Sequence, residues 1–310
     1  MRYLVVGAGA LGGYFGGRLI AAGCDVTFLL RPARAAALTR TGLIVKSRFG
    51  DLSLPSPPHV LADSIAGPYD VVIVACKAYD LAETMDSFAP AVGAQTAILP
   101  LLNGMRHLDD LKTRFGAERV LGGLCIISAT LDDDGVVHHL NDLHLLAFGE
   151  LDGTMSKRIE AMRHDFASAT FDGRASDQIV LEMWEKWMFI ATMAGLTCLM
   201  RSSVGDIVAA GGAELGVALV EECRAIAAAN GHPPRDTSVE RARAMVSTAG
   251  SPVSASMLRD IERGARVEAD HVIGDLLARA DHHLPAPPLL RVAHVHLKTY
   301  EARRSRSPAP

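Results

Sequence analysis

The sequence has little that would take it to a membrane, a nucleic acid or an oxidising compartment. Its longest largely apolar run, Trp187 to Met200, is 14 residues, and a membrane-spanning helix needs about 20. That run reads as a buried helix. No leader is expected at the start, because the short apolar stretch Tyr3 to Val6 runs straight into glycines. The 31 basic residues do not outnumber the 35 acidic ones, and the resulting charge of −4 argues against a general binder of nucleic acid or anionic membrane. A local basic pocket for one phosphate stays compatible with that balance. The five cysteines are odd in number, scattered and never spaced CxxC, so reduced, mostly buried thiols of a cytoplasmic protein are expected. Neither an HExxH helix nor a GxSxG elbow occurs. The pairs His138-His139, His282-His283 and His294/His296 do not make a chelating pattern. The run Asp132-Asp133-Asp134-Gly135 lacks the rest of a calcium loop and reads as a turn. No metal is expected.

What is present is an alternation. A chain of 310 residues carries a prior of about two domains. Strand-type runs occur at Tyr3–Val6, Val26–Leu30, Val71–Cys76, Thr96–Leu99 and Val120–Ile127. Helical runs lie between them at Ala10–Ala22, Arg34–Arg40, Leu81–Ala89 and Leu108–Phe115. Such alternation implies a parallel sheet covered by helices. Val71–Cys76 is apolar throughout, as a strand buried on both faces must be. Val136–Leu140 and Leu143–Phe148 are strand-like, and Asn141-Asp142 between them predicts a hairpin. After about residue 173 the spacing is helical, over Asp177–Leu199, Glu214–Asn230, Ser254–Ala265 and Glu268–Ala280, with breaks at 231–234 and 283–288. The end of the chain, from Arg303, is polar and proline-bearing and is expected to be disordered.

Gly7-Ala8-Gly9-Ala10-Leu11-Gly12 fits GxGxxG. Alone the motif is weak. Here it follows the first apolar strand and opens a helix, which is the context a dinucleotide loop requires. Gly7 would allow the tight turn, Gly9 the approach of backbone to a pyrophosphate, and Gly12 close packing of helix on strand. The helix N-terminus would offer N–H groups to the phosphates. NAD-binding chains place an acid at the end of the second strand. This chain has Arg31 there, with Arg34 close by and no acid until Asp51. A guanidinium suits a 2′-phosphate, so NADP(H) is expected over NAD; otherwise Arg31 is an ordinary solvated residue at a helix start. The fold class is therefore α/β: an N-terminal Rossmann-type doubly wound sheet over residues 1–172, an all-α domain over 173–300, and a tail from 301 to 310.

Three polar residues stand in apolar surroundings. Lys77 follows Val71–Cys76 at its C-terminal end. Asn103 follows Ile98–Leu102, also just past a strand. Ligand sites in open α/β sheets lie outside those ends. Lys186 sits in an otherwise apolar helix, Trp184-Glu185-Lys186-Trp187-Met188-Phe189; it either snorkels to solvent or takes part in chemistry.

Taken together, the glycine loop, Arg31, Cys76-Lys77-Ala78, Leu102-Asn103-Gly104-Met105, the Trp184–Lys186 helix, and Ser256-Met257-Leu258-Arg259-Asp260-Ile261 followed by Glu268 resemble the ketopantoate reductase (2-dehydropantoate 2-reductase) family. The resemblance runs from residue 1 to about 300. It implies two domains, an active site in the cleft between them, and NADPH-dependent reduction of a 2-keto acid, 2-dehydropantoate in pantothenate synthesis. It implies that Lys186 is the catalytic lysine, protonating the C2 carbonyl oxygen as hydride arrives. Glu268 would be the carboxylate orienting substrate-side groups, Asn103 and Lys77 would line the nicotinamide and substrate cleft, and Ser256 would hold the substrate carboxylate end. The chemistry agrees: a ketone gaining hydride builds charge on oxygen, and an ammonium stabilises that charge and supplies the proton.

One departure stands out. Four and eight residues after the catalytic lysine the family usually carries asparagines that bind the substrate's polar groups. Here those positions are Ile190 and Ala194, which have no hydrogen-bonding side chain. A less polar 2-keto acid is therefore the alternative substrate, unless Thr192, Thr197, Arg201 or Ser202 compensates. A related hydroxyacid or opine-type dehydrogenase is a further alternative. A non-catalytic NADP(H)-binding sensor is the alternative of another class. A small-molecule substrate is the expected partner, with no nucleic acid and no membrane, and the apolar helical half is compatible with a homodimer.

Overall fold

A computed structural model of the chain describes residues 1–280 and 287–306. The chain packs as two units, Met1–Leu102 with His107–Val180, and Asn103–Arg106 with Leu181–Pro310.

The first unit opens β1 (Arg2–Val6), α1 (Ala10–Ala21), β2 (Asp25–Leu29), α2 (Pro32–Thr41), β3 (Leu43–Lys46), β4 (Leu52–Leu54) and β5 (His59–Val60). It continues through β6 (Val71–Val74), α3 (Leu81–Phe88), β7 (Ala97–Pro100), α4 (Arg106–Phe115), β8 (Leu121–Leu131), β9 (Val137–Glu150), α5 (Lys157–Phe166) and β10 (Asp172–Ala175). A parallel sheet runs in the order β5-β2-β1-β6-β7. Its central strands β1 and β6 are buried from Tyr3 to Val6 and from Val71 to Val74. That is why those runs are apolar without alternation.

Helix α1 is packed on two sheets at once. A Cβ on Gly12 would stand 2.0 Å from Gly7 O and 3.3 Å from Val5 Cγ1, and one on Gly16 would meet the Phe28 ring at 2.7 Å. These two glycines face the parallel sheet. Gly13 and Gly17 face the other way, toward Val137 and Leu43 at 3.1 and 3.0 Å. Those neighbours belong to a second sheet, ordered β10-β9-β3-β4, with β8 antiparallel to β9. Each mid-helix glycine costs about 1 kcal/mol against alanine. The close approach, with Tyr14, Phe15 and Leu19 fully buried between the layers, offsets that cost.

The second sheet corrects one reading. Asn141-Asp142 is no turn, because β9 runs unbroken through it. The hairpin partner of β9 is β8, and the turn lies at Asp132–Val136, where Asp132 Oδ1 accepts the Val136 N–H at 2.8 Å and Gly135 takes φ +81°. Asn141 instead serves a bulge: its Oδ1 accepts the Ser128 N–H at 2.9 Å, where the β8–β9 register shifts between Ile127 and Ala129. β10, which spans the expected boundary at 172/173, pairs parallel with β9.

The second unit is helical, with no strand among its described residues. It holds α6 (Ile179–Met200), α7 (Val204–Ala209), α8 (Ala213–Ala229), α9 (Asp236–Ser247) and α10 (Ser256–Glu262). A π-turn (Asp270–Gly274) then leads into α11 (Asp275–Ala278), and α12 (Pro288–Arg306) follows. The expected single helix Glu268–Ala280 is thus broken in type by the π-turn. Arg303 to Arg306 also differ from expectation, since they close α12 as helix, and the remaining tail, 307–310, lies outside the described residues. The break expected at 283–288 falls mostly outside them too, as does the pair His282-His283; Pro288 opens α12. Among the described residues no helix is long and apolar enough to cross a membrane.

Candidate active site

The glycine loop leaves β1 at its C-terminal end. Gly7 takes φ +91°, a conformation that side-chain-bearing residues rarely adopt, and its N–H donates to Leu29 O at 2.9 Å. A Cβ on Gly7 or Gly9 would meet nothing within 4 Å. Backbone is therefore bare on that side of the loop. The N-terminus of α1 has Gly9 as its cap, no side-chain cap and no acid in its first turn. The first-turn N–H groups and the helix dipole are left for an anion. The loop thus fits a dinucleotide pyrophosphate, with Gly7, Ala8, Gly9, Ala10, Leu11 and Gly12 as its holders.

Arg34 acts inside this loop. Its Nε donates to Ala8 O at 3.1 Å and its Nη2 to Gly135 O at 3.3 Å. It pins the loop to the β8–β9 turn, and burial pulls the guanidinium below its ordinary pKa. Arg31 caps α2 from the end of β2, and its side chain stays 61% exposed. Two carboxylates flank it, Glu83 at 3.2 Å and Asp80 at 3.9 Å. Sequence reasoning saw no acid near Arg31, because both arrive from the segment after β6, some fifty positions on. Lys77 is exposed at the head of the turn Ala78–Asp80. The C-terminal edge of one parallel sheet therefore gathers the glycine loop, Arg31 and Lys77.

In the second unit Lys186 is half-buried between Glu185 and Trp187. Its neighbours are anchored. Arg235 donates to Glu185 Oε1 from both its backbone N–H and Nε, each at 2.8 Å, and to Oε2 from Nη2. Burial alone would raise the Glu185 carboxyl, but Arg235 and Ser238 together hold it below the usual carboxylate range. Trp187 is fully buried, and its Nε1 donates to Val272 O at 2.7 Å. By contrast, no described residue pairs with the Lys186 ammonium.

The half-exposed residues in the first half of α6 are Val180, Leu181, Glu182, Lys186, Phe189 and Ile190. Helical spacing sets Glu182, Lys186, Phe189 and Ile190 along one stripe. The lysine therefore shares its open face with an aromatic ring that sequence reasoning passed over. Ala194 is buried. Two of the compensating hydroxyls lie in the core: Thr192 and Thr197 are fully buried, and Thr197 Oγ1 donates to Met193 O at 2.7 Å and accepts the Ala255 N–H at 3.2 Å. Ser202 donates to Asp206 at 2.7 Å.

Ser256 is exposed at the first position of α10. Glu268 is half-buried two residues before the π-turn, and its carbonyl accepts the Val272 N–H at 2.9 Å. Asn103 is half-buried and precedes Gly104, which takes φ +80°. A Cβ on Gly104 would stand 2.9 Å from His271 O, so the Asn103 segment packs directly on the π-turn. Lys186, Glu268 and Asn103 are in this way tied to one short piece of chain, while Ser256 is joined to α6 through Thr197. Among the described residues no group of three or more histidines, cysteines or carboxylates is placed to hold a metal ion.

Residues 3–153 match the family model described as Ketopantoate reductase PanE/ApbA, and residues 178–301 match Ketopantoate reductase PanE/ApbA C terminal. An uncharacterized oxidoreductase of Bacillus subtilis is 37% identical over 305 residues, covering 98% of this chain and 100% of its own. The crystal structure of 2-dehydropantoate 2-reductase from Geobacter metallireducens superposes with a TM-score of 0.87 at 31% identity, covering 96% of this chain and 99% of that one. A ternary structure of D-mandelate dehydrogenase with NADH and anilino(oxo)acetate shares the fold, with a TM-score of 0.86 at 20% identity over 98% of this chain and 100% of that one.

Proposed function

This chain belongs to the ketopantoate reductase family of oxidoreductases, and from that membership we propose that it uses NADPH to reduce a 2-keto acid, 2-dehydropantoate first among candidates, to the 2-hydroxy acid. The observation that carries the reading is the unpaired ammonium of Lys186 on the partly exposed face of α6, in a chain that matches the family over residues 3–153 and 178–301. A bound reduced nicotinamide supplies the hydride. Lys186 stabilises the charge that grows on the carbonyl oxygen and gives that oxygen its proton. Being half-exposed, Lys186 regains the proton from solvent. Ser256 hydrogen-bonds the substrate carboxylate, Glu268 orients the substrate-side groups, and Asn103 and Lys77 line the nicotinamide. The glycine loop and the N-terminus of α1 hold the pyrophosphate, and Arg31 takes the 2′-phosphate in competition with Asp80 and Glu83.

A second reading has its own support. Ile190 and Ala194 offer no hydrogen bond to a hydroxyl-bearing substrate, Thr192 and Thr197 are fully buried in the core, and Phe189 adds an apolar surface beside Lys186. That stripe favours a 2-keto acid with an apolar side chain. The fold itself does not choose between substrates. The test is NADPH oxidation with 2-dehydropantoate and a panel of apolar 2-keto acids, repeated with NADH. The first reading expects 2-dehydropantoate to give the highest kcat/KM, with NADPH preferred. A panel led by apolar acids would establish the second reading, and no turnover of any 2-keto acid would overturn both.

A further inference from the structure

We infer that Trp187 is a positioning residue for the reaction proposed above, its buried indole N–H holding the Lys186 helix against the π-turn that joins Glu268 and Asn103. The inference rests on that reading of Lys186. Residues 186 and 187 are adjacent on α6, so their side chains leave the helix about 100° apart. Trp187 points into the core while Lys186 is half-exposed. Any rotation of α6 about its axis that carries Lys186 away must also pull the indole off Val272 O.

The acceptor is as specific as the donor. Val272 lies in the middle of the π-turn Asp270–Gly274, and such turns are rare, irregular and concentrated at functional sites. The same turn is gripped from two other directions. Gly104, next to Asn103, packs on His271. From α12, Lys298 Nζ and His294 Nε2 hold the two Asp270 carboxylate oxygens at 2.5 and 3.1 Å. A phenylalanine would fill most of the Trp187 space without any N–H. A buried indole N–H needs an acceptor, and the one this indole finds is a carbonyl of the π-turn.

The test is Trp187→Phe in the full-length protein, with NADPH and whichever acid of the panel, 2-dehydropantoate included, gives the highest kcat/KM. The expected result is a fall in kcat of about 30-fold with KM held within about threefold, as for a slightly misplaced catalytic group. With NADPH deuterated at the transferred hydrogen, the isotope effect on kcat rises, because chemistry becomes slower relative to release. A smaller folded fraction would leave that isotope effect unchanged. In a Lys186→Ala background the added Trp187→Phe change costs nothing further. Wild-type kcat, an unchanged isotope effect, or the same fold-loss with and without Lys186 would each overturn the inference. If Trp187→Phe fails to fold, Asp270→Asn at the exposed side of the turn is used, with an expected kcat loss of about threefold and the same rise in isotope effect; wild-type values there overturn it. Full activity of Lys186→Ala alone, or a wild type inactive on the whole panel, would sink the underlying reading and the inference with it. Loss of activity in Lys186→Ala with no effect of Trp187→Phe would sink the inference alone.

Discussion

Helix α1 offers a ligand its backbone, whereas helix α6 offers side chains. In α1 glycine is needed wherever the helix touches a sheet, and a single methyl at Gly12 would stand 2.0 Å from Gly7 O. In α6 the core side is held by large residues such as Trp187 and Met188, and the stripe through Lys186, Phe189 and Ile190 is only partly buried. The consequence is an unequal freedom to change. A backbone site is fixed by steric limits and tolerates almost no substitution. A side-chain site accepts substitution on its partly exposed stripe more readily, and on the proposed reading substrate choice would follow such a substitution. Cofactor chemistry is therefore expected to be kept while substrate choice drifts.

The largest effect that would sharpen this contrast is at Gly12. Gly12→Ala should cost about 3 kcal/mol through overpacking against backbone that is unable to move aside. Thermal unfolding and NADPH titration check it, and a stable variant with normal NADPH binding would break the contrast. Next comes Arg31→Ala. Losing a charge-assisted contact to the 2′-phosphate should raise KM for NADPH about 30-fold and leave KM for NADH within about twofold. Equal changes for both cofactors would mean that Asp80 and Glu83, which flank Arg31, hold it away from the phosphate.

Ile190→Asn should act on selectivity alone. The ratio of kcat/KM for 2-dehydropantoate over an isopropyl 2-keto acid is expected to rise about tenfold, with unfolding unchanged. An unaltered ratio would remove Ile190 from the substrate wall. The smallest effect concerns acid. Glu185 has a lowered folded-state pKa, so its ion pair with Arg235 contributes fully above the ordinary glutamate value of about 4.3 and is lost as the pH falls through the lower folded value. The stability gap between the native chain and Glu185→Gln should therefore be widest near neutral pH and close in acid, as followed by thermal melts. A gap that widens in acid would contradict the pairing.

Much of this was legible in the sequence where local rules decide. Val71–Cys76 had to be a central strand because it is apolar on both faces, and Gly7–Gly12 marked its own turn and helix. The strands β3, β4, β5 and β10 were missed because they are two to four residues long and carry no period of their own. The misplaced hairpin has a clearer lesson. Asn141 has the chemistry of a turn residue, but its side-chain oxygen accepts the Ser128 N–H of the neighbouring strand where the register shifts, a demand set by pairing and invisible along the chain. The carboxylates beside Arg31, the bond from Trp187 to Val272 and the packing of Gly104 on His271 all join residues far apart in the chain, from Arg31 with Asp80 and Glu83 to Gly104 with His271. Lys186 and Asn103 stood out from their apolar surroundings, but their roles, and Glu268 and Ser256 altogether, came only through family resemblance, because a lone polar residue in an apolar helix reads equally well as a snorkelling side chain.

The most direct test of the account is the rate of NADPH oxidation by Lys186→Ala with the best 2-keto acid of the panel, alongside its melting temperature and NADPH affinity. The account predicts that kcat/KM falls by about 10³-fold or more through loss of the proton donor and its charge, while melting and cofactor affinity stay at wild-type values. A variant that folds, binds NADPH and still turns over within tenfold of wild type would contradict it.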